Sequence, residues 1–128
     1  WQHVLEPLSG YLILAQNLYI NPGNFSEGWN FGPNEKDVKS VDWILDKISA
    51  KWPYSSWKSD QSFSPHEAGF LKLDISKAKS RLSWKPVWGL SYTLEKIIDW
   101  HQSWLSEEDM QMVCLKEIKE YMNTMEKI

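Results

Sequence analysis

Apolar residues recur at three- and four-residue spacing through most of this chain, and that helical period limits its fold more than any other feature. Leu8, Tyr11, Leu12, Ala15, Leu18 and Tyr19 share one predicted helical face. Ahead of them, Pro7 costs nothing in a first turn, and Glu6 sits at the positive end of the helix dipole. Asn21-Pro22-Gly23-Asn24 supplies turn chemistry to end it. Ser40 is placed to cap a second helix carrying Val41, Ile44, Leu45, Ile48 and Trp52, which Pro53 stops. Asp74 can cap a short helix over 75–82. Ser91 is expected to cap a fourth, with Leu94, Ile97, Ile98, His101, Trp104 and Leu105. Ser106-Glu107-Glu108-Asp109 reads as the capping box of a fifth, striped by Met110, Val113, Ile118, Tyr121, Met122 and Met125.

Between these helices, residues 1–5, 27–31, 56–60 and 70–73 read as short extended pieces. Residues 61–69 form a polar loop without period, and 83–90 an extended connection. The 1–5 and 27–31 pieces are expected to lie parallel, with the first helix as their crossover. The expected fold class is therefore α/β: a helix-rich domain of about five helices with a few short strands and one parallel βαβ unit. Those strands are too few to make a self-sufficient sheet. A strand opening at residue 1 reads as the continuation of a longer chain, and 1–128 as one domain's worth.

Composition narrows the function. With 14 basic and 17 acidic residues the net charge is -3, and a nucleic-acid partner would want a basic stripe instead. The single cysteine, Cys114, excludes an internal disulfide framework and suits a reducing, cytoplasmic compartment. No apolar run approaches the length of a membrane span, and no leader peptide is visible. Nine tryptophans are many for 128 residues. They suit a dense core or a surface that stacks sugars and bases, and their periodic placement favours the core.

The order of segments resembles a family. An opening Trp-x-x-Val before a helix, then a strand ending Asn30-x-Gly32, is similar to the C-terminal half of the extended short-chain dehydrogenases that modify nucleotide sugars. Leu73-Asp74-Ile75-Ser76-Lys77-Ala78-Lys79 with Leu82-Ser83-Trp84-Lys85-Pro86 resembles that family's shared Ser-Lys-Ala stretch, and Leu94 to Trp100 its following helix. The opening dozen residues and Pro65-His66-Glu67-Ala68 are more specific. They resemble the 4,6-dehydratases that act on CDP-glucose. Ser83 stands where the family has Gly, and Gly69 where it has a second polar residue.

The resemblance implies a parent lyase in which NAD takes a hydride from C4 of the sugar, water leaves across C5–C6, and the hydride returns to C6. NAD would sit on an N-terminal Rossmann domain with a Gly-rich turn. None of this chain's six glycines forms that fingerprint, and the family's catalytic residues also lie in the N-terminal domain. The chain is expected to bind no cofactor and no metal, to carry no catalytic residue, and to be inactive alone. The parent is expected to be a homo-oligomer. Tyr54-x-x-x-Lys58 and Tyr92-x-x-x-Lys96 match the bare catalytic pattern, but neither has a cofactor fold before it.

The resemblance makes Asn30, His66 and Glu67 the substrate-binding candidates. Asn30 would contact the nucleotide, or it is a turn-former beside Gly-Pro. His66 and Glu67 would meet ribose, glucose or phosphate oxygens, or they are a solvated loop. Lys72 is either solvated or reaches a diphosphate as a point charge. His3 reads as a core histidine, His101 as structural, and Cys114 as an apolar filler. The three histidines lack metal-site spacing. Glu107, Glu108 and Asp109 are a helix start rather than a catalytic pair. An epimerase fragment, or a free-standing module that stacks carbohydrate or a partner on Trp, remains open.

Overall fold

A computed structural model describes residues 1–52, 54–60 and 72–127. Its helices are α1 (Leu5–Ile20), α2 (Pro22–Phe25), α3 (Val41–Lys51), α4 (Ser76–Leu82), α5 (Leu90–Leu105) and α6 (Met110–Met125), with a 3-10 turn at Glu35–Asp37. α1 packs on α2 and α4, and α5 packs on both α3 and α6.

The expected βαβ unit is absent, because no strand occurs among the described residues. The two pieces assigned to it do lie side by side, since the Gln2 side-chain amide donates to the Phe31 carbonyl at 2.9 Å. A side chain thus occupies the acceptor that a ladder would have needed. The Glu6 amide donates to the His3 carbonyl at 3.0 Å, which coils the chain into α1 before a strand can extend. Residues 27–31 are held in turns, by Glu27 N to Phe25 O at 2.8 Å and the Trp29 indole to the same carbonyl at 3.0 Å. The architecture is helical rather than α/β. The 56–60 piece is irregular as well.

Helix caps follow chemistry that is only partly local. Ser40 accepts from Trp43 N as expected, and Asp74 accepts from Ser76 N at 2.8 Å. At α6 the cap is Asp109, which accepts from Gln111 N and Met112 N, rather than Ser106. Ser106 instead closes α5, and Glu107 takes a left-handed φ of 56° in the joint. The start of α5 is capped by Asp37, whose carboxylate accepts from Leu90 N at 3.0 Å, and not by Ser91.

The face of α1 differs from the expected one. Glu6 and Gly10 are buried, Ile13 and Leu14 pack on the core, and Leu8, Tyr11, Leu12 and Tyr19 are exposed. The helix is apolar nearly all round, so periodicity alone could not choose a side. Gly10 chooses it. A Cβ there would lie 2.3 Å from the Phe31 ring, so only glycine lets Phe31 pack this close to the helix.

Phe31 anchors one core with Ile75, Ala78, Leu82 and Trp84, meeting Trp84 edge-on at 5.0 Å. A second core joins Ile44, Leu90 and Leu94. Of nine tryptophans, Trp84 and Trp88 are buried, Trp1 and Trp104 are exposed, and the rest are half-buried.

Between the cores lies a buried polar knot. Glu6, 0% exposed, accepts from Val87 N at 3.0 Å, Trp88 N at 2.7 Å and the Tyr121 hydroxyl at 2.8 Å. Ser9, one turn on, accepts from the Trp84 indole at 3.0 Å. The knot ties α1, the 83–89 connection and α6 together. Burial, and then the Glu6 carboxylate, push the Tyr121 phenol well above its usual value.

Candidate functional site

The packing that fixes Phe31 also brings residues 30–35 against residues 72–76. Gly32 allows the approach, because a Cβ there would sit 3.2 Å from Leu73 Cβ and 3.3 Å from Ile75 Cγ2. A polar cleft of about 430 Å³ opens along this seam, walled by Asn34, Glu35, Lys72, Asp74, Ser76 and Lys79. A hollow of about 340 Å³ shares its Pro33, Lys72 and Leu73 wall and adds Trp1, Gln2 and Lys39.

Two ammonium groups reach the cleft. Lys79 donates to Asn34 Oδ1 at 2.9 Å, and Lys72 pairs with Glu35. That hydrogen bond holds the Glu35 carboxyl below its usual range. Asp74 is held low as well, through its hydrogen bonds from Ser76. The Gln2 carbonyl oxygen is buried with no donor among the described residues. The seam therefore offers two exposed cations, two carboxylates, hydroxyl and amide groups, and an indole. That mix suits a polar, hydroxyl-rich ligand carrying a ring.

Asn30 lies exposed beside this seam and donates to the Asp74 carbonyl at 3.3 Å. It is brought there with Lys72, which is exposed to solvent as it pairs with Glu35. His66 and Glu67 lie outside the described residues, in the segment leading into Lys72. Trp1, Gln2 and Lys79 were not expected at the site. The clue in the sequence was the break in alternation at Gln2-His3, polar residues inside an otherwise apolar opening.

The Ser-Lys-Ala helix holds the neighbouring segment in place. Lys77 and Arg81 both pair with Glu27, which lowers the Glu27 carboxyl mainly through Lys77. Both cations also sit over the Trp29 ring, at 4.7 and 5.2 Å. Trp29 is thus covered by this clasp and is not a free stacking platform.

The remaining candidates are elsewhere. Tyr92 and Lys96 are neighbours on α5, with Lys96 Nζ 5.1 Å from the ring, and both bond Glu120 on α6. Glu120 raises the Tyr92 phenol, the opposite of what a catalytic phenolate needs. Tyr54 is fully exposed at the end of α3, with a left-handed φ of 62°. His101 packs edge-on to Trp52 at 5.7 Å. Cys114 accepts from the Trp100 indole at 3.3 Å. No group of three metal-ligating side chains occurs among the described residues.

No protein-family model matches the sequence. A curated relative does: CDP-glucose 4,6-dehydratase of Salmonella typhimurium, 52% identical over 124 residues. The chain is similar to part of a nucleotide-sugar dehydratase. The alignment covers 96% of this chain and 34% of the Salmonella dehydratase, so the chain spans about a third of that relative's length. Identity at this level over almost the whole chain relates it to the CDP-glucose 4,6-dehydratase as an evolutionary homologue rather than a look-alike. No described helix is long and apolar enough to cross a membrane.

Proposed function

We propose that this chain is the C-terminal, nucleotide-sugar-binding part of a CDP-glucose 4,6-dehydratase. The observation that carries the reading is the 52% identity across 96% of the chain. The cleft along Asn30–Lys79 supports it. Lys72 and Lys79 would face the diphosphate, and Asn30, His66 and Glu67 would take nucleotide and sugar hydroxyls. Trp1 would meet the base. Binding of this remote group positions the reacting sugar.

In this reading NAD is bound outside this chain. The spaces above Gly10 and Gly32 are filled by Phe31 and by Leu73 and Ile75, which leaves no backbone cradle for a pyrophosphate there. The cofactor would be held by a separate Rossmann domain of the parent, and the chemistry with it. Residues 1–128 incubated with NAD and CDP-glucose should give no 4-keto product. In this reading the parent is a cytoplasmic homo-oligomer.

Calorimetric titration of the intact protein with CDP-glucose tests the reading. Lys72→Met should weaken binding by about tenfold, the worth of one charge-assisted hydrogen bond. No heat of binding, or equal affinity for glucose 1-phosphate, would overturn it.

A further inference from the structure

His3 is buried, 4% exposed, at the junction of α1, α5 and α6. Its Nδ1 accepts from the Leu5 amide at 3.3 Å, which satisfies one of the orphan donors at the start of α1. Nδ1 can do this only without a proton, so the ring is neutral with its hydrogen on Nε2. Nε2 points at Glu117 of α6, 3.7 Å from Oε1. That is too long for a hydrogen bond but within ion-pair reach. The ring packs edge-on to Trp88 at 5.0 Å. Trp88 is itself fixed by its amide on Glu6 and by the Tyr92 and Tyr121 rings.

We propose that His3 is a proton-sensitive latch: its neutral imidazole ties residues 1–4 to the first turn of α1 and against Trp88, and protonation at mildly acid pH releases them. Protonating Nδ1 sets two N–H groups against each other where one bond stood. The Leu5 amide loses its acceptor, and the ring can regain partners only by turning toward Glu117. Trp1 and Gln2, which wall the hollow beside the cleft, lie on the released segment.

Burial and one nearby cation favour the neutral ring. Burial and then Lys96 of α5 lower the imidazole below its usual 6.5. Glu117 is the opposing anion, and burial raises its own carboxyl, with Lys96 lowering it and Glu120 and Asp99 raising it. His101 and Cys114 line the same groove. The released ring binds its proton at the usual 6.5 and the latched ring only at lower pH. Release is therefore favoured as pH falls below 6.5, by up to about tenfold per pH unit. Protonation of Glu117, whose raised carboxyl favours the latched state, opposes this near the acid end.

Amide exchange of Leu5 and Glu6 in the intact protein, expressed as protection relative to the free peptide, measures the latch between pH 7.5 and 5.5. Protection should fall by up to about tenfold per pH unit below 6.5. His3→Gln, which keeps an acceptor but cannot titrate, should show no such fall. Glu117→Gln should shift the His3 titration still lower. An equal slope in His3→Gln overturns the proposal. Should that variant not fold, the ring-nitrogen shifts of the unaltered protein decide. A proton on Nδ1 at neutral pH, or titration at or above 6.5, overturns it. A bare Nδ1 that titrates below 6.5 upholds it.

Discussion

The Glu6 carboxylate accepts the Tyr121 hydroxyl at 2.8 Å across 115 positions of sequence, joining the first turn of the first helix to the last helix. The same carboxylate holds the Val87 and Trp88 amides, so one side chain serves three segments. A buried charge costs several kcal/mol unless its lone pairs are filled, and here two backbone amides and a phenol fill them.

Tyr121→Phe removes one donor and leaves the amide bonds, and should cost about 1–2 kcal/mol of stability. Glu6→Ala strands three donors and should cost about 3 kcal/mol or more. Urea unfolding of the two variants beside the parent sequence measures both. A Glu6→Ala protein as stable as the parent would show that water replaces the carboxylate without loss.

Gly10 is predicted to be intolerant of any side chain. Gly10→Ala would place a Cβ 2.3 Å from the Phe31 ring, and overpacking of this kind costs about 1–3 kcal/mol. Phe31→Leu should recover part of that loss when combined with Gly10→Ala, since the clash is between those two groups. A double-mutant cycle in which the two costs simply add would separate them.

How far the sequence could be read depended on whether a signal was local. Five of the six described helices were legible because each carries its own period, and the Ser40 cap because its partner lies three residues on. Asp37 capping α5 was not legible, since its partner Leu90 is 53 residues away. Glu6 was read as a dipole residue for the same reason. The strands failed because extended-looking residues become strands only with a ladder partner, and Gln2 occupies Phe31 with a side chain instead. At the cleft, Asn30 was singled out by resemblance, and Lys72 was read as either solvated or a point charge. Trp1 and Lys79 needed the fold that brings them together.

Glu67 is expected to contribute to substrate binding in the intact protein. Glu67→Ala should weaken CDP-glucose affinity by roughly 1.5–3 kcal/mol, the range for a hydrogen bond to a charged group. NAD content after purification should be unchanged, because no dinucleotide fingerprint lies in this part. Unchanged substrate affinity would return Glu67 to a solvated loop.

The last prediction concerns residues 1–128 taken by themselves. Leu8, Tyr11, Leu12, Tyr19 and Ile20 are exposed on α1, and Met112, Leu115, Ile118, Met122 and Met125 on α6. Apolar patches beyond a few hundred Å² drive association, and two helices present such stripes here. The fragment should self-associate at micromolar concentration. Sedimentation velocity provides the measurement, with salt varied to separate apolar from charge-driven contact, since screening weakens only the latter. Leu8→Lys with Leu12→Lys should restore a monomer without loss of helicity, because both side chains already face water in the fold. A fragment that sediments as a monomer before those changes would show that the exposed stripes are too broken by Lys116, Lys119 and Gln16 to act as one surface.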